Sequence, residues 1–193
     1  MIFRRDIPGW LHTNEVEQVK RIYKLKPFGK DIIEIGVFAG RTTQVIAQVC
    51  NDCNIYCIDP WRESNPPIEW SGMTDYTGPK FDSNRVYDIF KTEVANKYDR
   101  IETIIGYFPD DLTDQARTNI GMIYWDTDCI DDLPEMIKQF NAAWELLEPG
   151  GILGGHTFAW WMPNVVNVVR EFAMSVNKDI ILPPSGSIWY IIK

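Results

Sequence analysis

The residues best equipped for chemistry stand at the ends of apolar runs. Glu34-Ile-Gly36-Val-Phe38-Ala-Gly40-Arg-Thr42-Thr43 lies where a hydrophobic stretch gives way to a helical pattern. Glycines there let the backbone approach a ligand, and the opening N–H groups of the helix can receive an anion such as a carboxylate. Thr42 or Thr43 adds a hydroxyl donor. A tight turn that merely uses two glycines would look the same locally. Asp59 closes the next apolar run, where a carboxylate can accept from both hydroxyls of a ribose. Farther on, Asp126, Asp128, Asp131 and Asp132 crowd the end of a third run, and His156 follows a fourth. Acids at a helix start commonly act as caps and dipole partners, the role expected of Asp131 and Asp132. Asp126 and Asp128 stay open to either use. His156 titrates near neutral pH and stands where strand ends face a ligand crevice, so it is the candidate general base, or else a structural histidine.

The first turn separates two cofactor classes. A dinucleotide fold uses G-x-G-x-x-G, whereas this chain has G-x-x-x-G with an acid two residues before the first glycine. That pattern favours S-adenosylmethionine over NAD. There is no G-x-x-x-x-G-K-[ST], which sets aside a nucleotide hydrolase.

The elements that must position these residues alternate short apolar runs with helical periodicity, as in an α/β domain. Thr13 or Asn14 is expected to cap a helix running to about Lys26, with Pro27 and Gly29 ending it. Strands are expected at 31–36, 54–59, 101–105, 120–125, 152–155, 179–182 and 187–192, with helices near 41–50, 83–97, 132–147 and 164–176. The expected fold is a doubly wound, Rossmann-like sheet of seven strands, mostly parallel with an antiparallel C-terminal strand and helices on both faces. One domain covers 1–193, with 1–30 as an N-terminal helical extension. Residues 61–80 hold three prolines, two glycines and two tryptophans and read as a lid loop.

Composition narrows the partners. A 193-residue chain with 45% hydrophobic content can build one sizeable core. A net charge of −8 opposes a phosphate-coating surface, so nucleic acid is not the expected substrate. The basic stretch 17–30 reads as a solvated helix face. No apolar run reaches the ~20 residues of a membrane span, and no signal peptide is evident, so a cytoplasmic location is expected. The Cys50-x-x-Cys53 pair has no second CxxC to complete a metal site, and the chain has only His12 and His156 as histidines. Cys50, Cys53 and Cys57 are therefore expected as free thiols in a reducing compartment.

Taken together these runs resemble the small-molecule O-methyltransferases of the catechol and macrocin kind, within the class I S-adenosylmethionine-dependent enzymes. EIGVFAGRTT is similar to their E-x-G-x-x-x-G-x-[ST] turn. Ile105-Gly106-Tyr107-Phe108-Pro109-Asp110-Asp111-Leu112 resembles a segment after the third strand, Trp125-Asp126-Thr127-Asp128 a D-x-D after the fourth, and Leu147–His156 an L-x-P-G-G segment. The resemblance spans about residues 30–193. It implies that Glu34, Gly36, Phe38 and Gly40 shape a methionine pocket, that Thr42 holds the cofactor carboxylate, and that Asp59 binds the ribose. Gly106, Tyr107 and Phe108 would flank the adenine, and Asp126 would lie beneath the sulfonium as a metal ligand or orienting carboxylate.

Two departures bear on mechanism. Catechol-type enzymes pair the Asp126 equivalent with Asp-Asn to hold magnesium, where this chain has His156-Thr157, and they carry a lysine base where it has Cys129. A hard-metal site is thus not expected, with Asp126, Asp128 and His156 as a weak alternative set for a softer ion. Trp160 and Trp161, with Trp61 and Trp70, either line an acceptor pocket or cover the sheet edge. The expected activity is methyl transfer from S-adenosylmethionine to a hydroxyl of a small molecule, such as a sugar. The alternative is a protein of the same fold that binds the cofactor without catalysis.

Overall fold

The structure is a computed structural model and describes residues 2–61, 75–80, 82–127, 132–184 and 186–193, the side chain of Ser83 excepted. Its elements, in chain order, are α1 (Val16–Leu25), β1 (Asp31–Ile35), α2 (Thr43–Val49), β2 (Ile55–Asp59), α3 (Val86–Glu93), β3 (Ile101–Ile105), β4 (Ile120–Trp125), α4 (Leu133–Leu146), β5 (Leu147–Gly155), α5 (Pro163–Ser175) and β6 (Trp189–Ile192). The strands form one sheet in the order β3-β2-β1-β4-β5-β6. Only the β5–β6 pairing is antiparallel. The expected doubly wound α/β architecture is what the chain adopts.

β1 and β4 run down the middle and are buried along their whole length, β1 carrying Asp31 and Glu34 inside with its isoleucines. Alternate side chains feed two separate cores. Ile33, Ile35, Tyr56, Ile58, Ile123 and Trp125 meet α4 and α5 on one face. Ile32, Ile55, Cys57, Met122 and Tyr124 meet α1, α2 and α3 on the other. The N-terminal segment belongs to this second core, because Ile7 and Leu11 are fully buried in it.

Four expectations need correction. Among the described residues the sheet has six strands, not seven: 179–182 contributes a single bridge, Ile181 to Tyr190. Pro183 and Pro184 follow at once and have no N–H with which to extend a ladder. Second, neither Thr13 nor Asn14 caps α1, which is preceded by Glu15 and begins at Val16. The Thr13 backbone N–H and hydroxyl are both spent on Asp75 Oδ2, at 2.5 and 2.6 Å. Third, the expected helix at 83–97 is α3 flanked by a 3-10 turn at each end. Fourth, Cys50 and Cys53 are joined in a disulfide instead of standing as free thiols, because the turn after α2 brings their Cα atoms to 6.3 Å. Cys57 is a buried free thiol, as expected.

The capping role of Asp132 is as expected: its Oδ1 accepts from Glu135 N at 3.0 Å. Asp128, Cys129 and Asp131 lie outside the described residues, as do Trp70 and most of the segment expected as a lid. Among the described residues no helix is long and apolar enough to cross a membrane.

Candidate functional site

The parallel strands all deliver their C-terminal ends to one rim of the sheet, and order reverses between β1 and β4. Crevices in open α/β sheets form at such a switch point. Gly36, just past β1, sits against the chain just past β4: a Cβ there would lie 1.9 Å from the Asp126 carbonyl oxygen. With φ of +80° the position also needs a residue free of a Cβ. Gly40, at φ +82°, closes the same turn under Phe90 and Val94.

Three acids surround this turn. Glu34 is fully buried on β1, on the face shared with its neighbours Cys57 and Tyr124. Burial first, and then Asp126 and Asp59, push its pKa up to about 8, against the opposing influence of Thr43 and Cys57. Glu34 is therefore mostly a neutral acid at pH 7. Its Oε1 and the Thr43 hydroxyl are buried without a partner of hydrogen-bond geometry.

Asp59, at the end of β2, grips the turn itself. Its Oδ2 accepts from Val37 N at 2.8 Å and Phe38 N at 2.9 Å, and its Oδ1 from Trp61 N at 2.7 Å. Trp61 then donates through Nε1 to the Phe38 carbonyl and stacks on Phe90, with ring centroids 5.1 Å apart. The first turn is thus fixed from β2.

The third acid, Asp126, faces His156 across the gap between β4 and β5, with Oδ1 to Nδ1 at 3.7 Å. The other ring nitrogen, Nε2, meets Glu15 Oε2 at 3.2 Å. Burial by itself lowers the pKa of this imidazole, but Asp126 and Glu15 more than reverse that and raise it to about 10. Glu15 is held at about 2: burial pushes it up, and His156, Ser187 and His12 N–H pull it down further. His156 is a buried imidazolium at neutral pH. The two flanking carboxylates favour the protonated ring, which weighs against the general-base role expected of it.

A family profile described as a methyltransferase domain matches residues 33–158, more than half of the chain. The chain belongs to the methyltransferase domain family. The matched span runs from β1 to just past β5 and so includes every strand end that forms the rim.

The fold of this methyltransferase recurs among solved structures. An O-methyltransferase from Bacillus cereus in complex with SAH is 17% identical, with a TM-score of 0.62, 97% of this chain and 84% of that chain covered. A precorrin-6y C5,15-methyltransferase from Geobacter metallireducens is 10% identical with a TM-score of 0.66, covering 100% of this chain and 98% of that one. An rRNA methylase from Streptococcus thermophilus is 10% identical with a TM-score of 0.60, covering 91% and 92%. No curated protein sequence matches. One fold carries three kinds of acceptor here, so the acceptor must be argued from the site.

Within the methyltransferase rim the expected residues fare unequally. Glu34, Gly36, Phe38, Gly40 and Thr42 gather at the turn, with Asp59 bound to it. Phe108 is buried in the α4–α5 core, whereas Tyr107, beside it, is about half exposed. Gly106 packs on the Asp111 side chain, and Asp111 Oδ2 accepts from Tyr107 N at 2.7 Å. Trp160 and Trp161 are exposed, stacked edge-to-face on one another. Among the described residues the only His/Cys/Asp/Glu group with metal-like spacing is Cys50, Asp52 and Cys53, whose two sulfurs are bonded to each other. Asp126 and His156 do not form such a group. Sequence reading missed Glu15, which meets the site from 141 residues away.

Proposed function

We propose that the chain binds S-adenosylmethionine at the β1–α2 turn and transfers its methyl group to a hydroxyl of a small polar molecule. The observation that carries this reading is the meeting of three carboxyl groups, Glu34, Asp59 and Asp126, around a glycine turn at the switch point. The carboxylates of Asp59 and Asp126 suit a ligand with a sulfonium and an ammonium group, with Glu34 buried behind the turn. Thr42 would face its carboxylate, Asp59 its ribose, and Tyr107 its adenine. When bound, the cofactor supplies an activated methyl group. Asp126, whose side chain is about a quarter exposed, accepts the proton of the acceptor hydroxyl as the new oxygen–carbon bond forms. His156, already protonated, holds that carboxylate in place. Most of the rate would come from alignment of the reacting atoms.

A second reading, cofactor binding without catalysis, draws on the two acids that favour the protonated form of His156. Calorimetric titration with S-adenosylmethionine, S-adenosylhomocysteine and NAD, followed by a labelled-methyl transfer screen over small hydroxylated compounds, separates the two. Binding of the first two with transfer supports the enzyme, and binding without transfer the second reading. Preference for NAD overturns both. Asp59→Ala should weaken adenosylmethionine binding by about 1–3 kcal/mol, because it removes charge-assisted hydrogen bonds both to the ribose and to the turn. An unchanged dissociation constant in a folded variant would remove Asp59 from the site.

A further inference from the structure

Glu15 has no part in any family motif read from the sequence, yet its carboxylate ties together three distant parts of the chain. It is 1% exposed. Its Oε1 accepts from Ser187 N at 2.8 Å and from the Ser187 hydroxyl at 3.3 Å. Its Oε2 accepts from His12 N at 3.0 Å and meets His156 Nε2 at 3.2 Å. Gly186 passes so close that a Cβ there would lie 2.3 Å from Oε1. A purely structural staple would be complete with the Ser187 and His12 contacts. The contact to His156 does something further, because the other nitrogen of that ring faces Asp126.

The arrangement is a line of three charges, acid–imidazolium–acid, with unequal ends. The Glu15 side chain is 2% exposed and the Asp126 side chain 26%. Two carboxylates and one cation leave one negative charge over, and solvation favours leaving it at the open end. Glu15 therefore neutralises the imidazolium from behind, while the imidazolium fixes Asp126 in front. The groups around the ring are Glu15 from the N-terminal segment, Asp126 from the end of β4, and neutral Trp189 from β6, whose Nε1 donates to the His156 carbonyl at 3.2 Å. Tyr124 on β4 is held as a neutral phenol, first by burial and then by the field of Asp126, Glu15 and Glu34.

We propose that Glu15 is a positioning residue of the transfer site, acting through His156 to set the orientation of Asp126 at the end of β4. The proposal rests on the reading of Asp126 as the carboxylate that faces the acceptor hydroxyl. It makes the N-terminal segment part of the functional apparatus, although it precedes the matched family span.

The test needs no acceptor. The chain has two histidines, so two imidazole signals suffice in an NMR titration, with carbon-13 labelling for the Asp126 carboxyl. Glu15→Gln keeps the size of the side chain and an oxygen for Ser187 N. The expected result is a fall in the His156 titration point by about one pH unit or more, together with a displaced Asp126 carboxyl carbon signal at neutral pH. S-adenosylhomocysteine affinity should stay within about threefold, because the turn and Asp59 are untouched. Restoring an acid with Glu15→Asp should recover part of both shifts. If the His156 titration point and the Asp126 carboxyl signal are both as in the wild type in folded Glu15→Gln, the proposal is overturned. Should that variant not fold, His156→Asn takes its place: the Asp126 carboxyl carbon signal must then move, and an unchanged signal overturns the proposal equally. The titrations are run without cofactor, so a wild type that fails to bind S-adenosylhomocysteine would overturn the proposed function and leave the Glu15–His156–Asp126 coupling to be judged separately.

Discussion

A single methyl group added at Gly36 should be among the costliest changes in this chain. The Cβ would meet main-chain atoms of Asp126 and Thr127, which cannot swing aside as a flexible side chain can, and φ is +80°. Gly36→Ala should cost about 3 kcal/mol or more, read as a lowered denaturation midpoint, and should abolish cofactor binding in whatever remains folded. A stability change below about 1 kcal/mol would show that the two strand ends are not locked together. Glu34 offers a pH-dependent counterpart. Its folded pKa of about 8 lies above its ordinary value of 4.5, so the folded chain holds a proton that the unfolded chain has released. Stability must then fall as pH rises from about 4.5 to about 8 and the penalty stay constant beyond. Glu34→Gln should match the wild type at pH 4 and exceed its melting temperature at pH 8; equal melting temperatures at both would place the Glu34 pKa in its ordinary range. Residues of this kind were legible in the sequence because Glu34, Gly36 and Gly40 fall within seven positions of one another where a strand passes into a helix. Glu15 was not legible, since a lone acid near a helix start says nothing of a partner 141 residues away.

At the scale of elements, the N-terminal segment is stitched down more firmly than the word extension implies. Gln44 Oε1 accepts from Arg4 N at 2.9 Å and its Nε2 donates to the Arg4 carbonyl at 3.0 Å, a two-way amide clamp between the segment and α2. Trp10 lies against Phe38 of the glycine turn, with ring centroids 5.1 Å apart. Leu11→Ala should therefore cost about 2–5 kcal/mol, the ordinary toll for a buried leucine, in a chemical denaturation series. A cost under about 1 kcal/mol would mean that residues before α1 pack loosely. The five parallel strands were readable because each is a short apolar run between polar breaks, and α4 because Met136, Phe140 and Ala143 recur at helical spacing and are buried. The ladder at 179–182 was over-read, since an apolar run beside two prolines looks like a strand until hydrogen bonds are counted. The disulfide was under-read, since Cys-x-x-Cys spacing permits a bond without requiring one.

Over the whole molecule, charge bears on the kind of acceptor to be expected. A net charge of −8 provides few cations to displace the counterions of a phosphate backbone. A labelled 20-nucleotide RNA should show no saturable binding below about 10 μM at ~0.15 M salt, read by fluorescence anisotropy. Tight, steeply salt-dependent binding would redirect the search for an acceptor toward RNA. The strand order carries a different consequence, for the sequence of events by which the protein is made. β1 finds one neighbour soon, Ile32 beside Ile55, and the other only late, Ile32 beside Met122. Until β4 leaves the ribosome, the flank of β1 that will bear the crevice is an open edge, able to pair with whatever strand it meets. A nascent chain that ends before Asp126 carries the glycine turn and Asp59 but no floor beneath them. Cofactor capture is thus deferred until the two halves of the sheet have joined, and free cofactor would act on the finished fold by mass action and could not template its beginning.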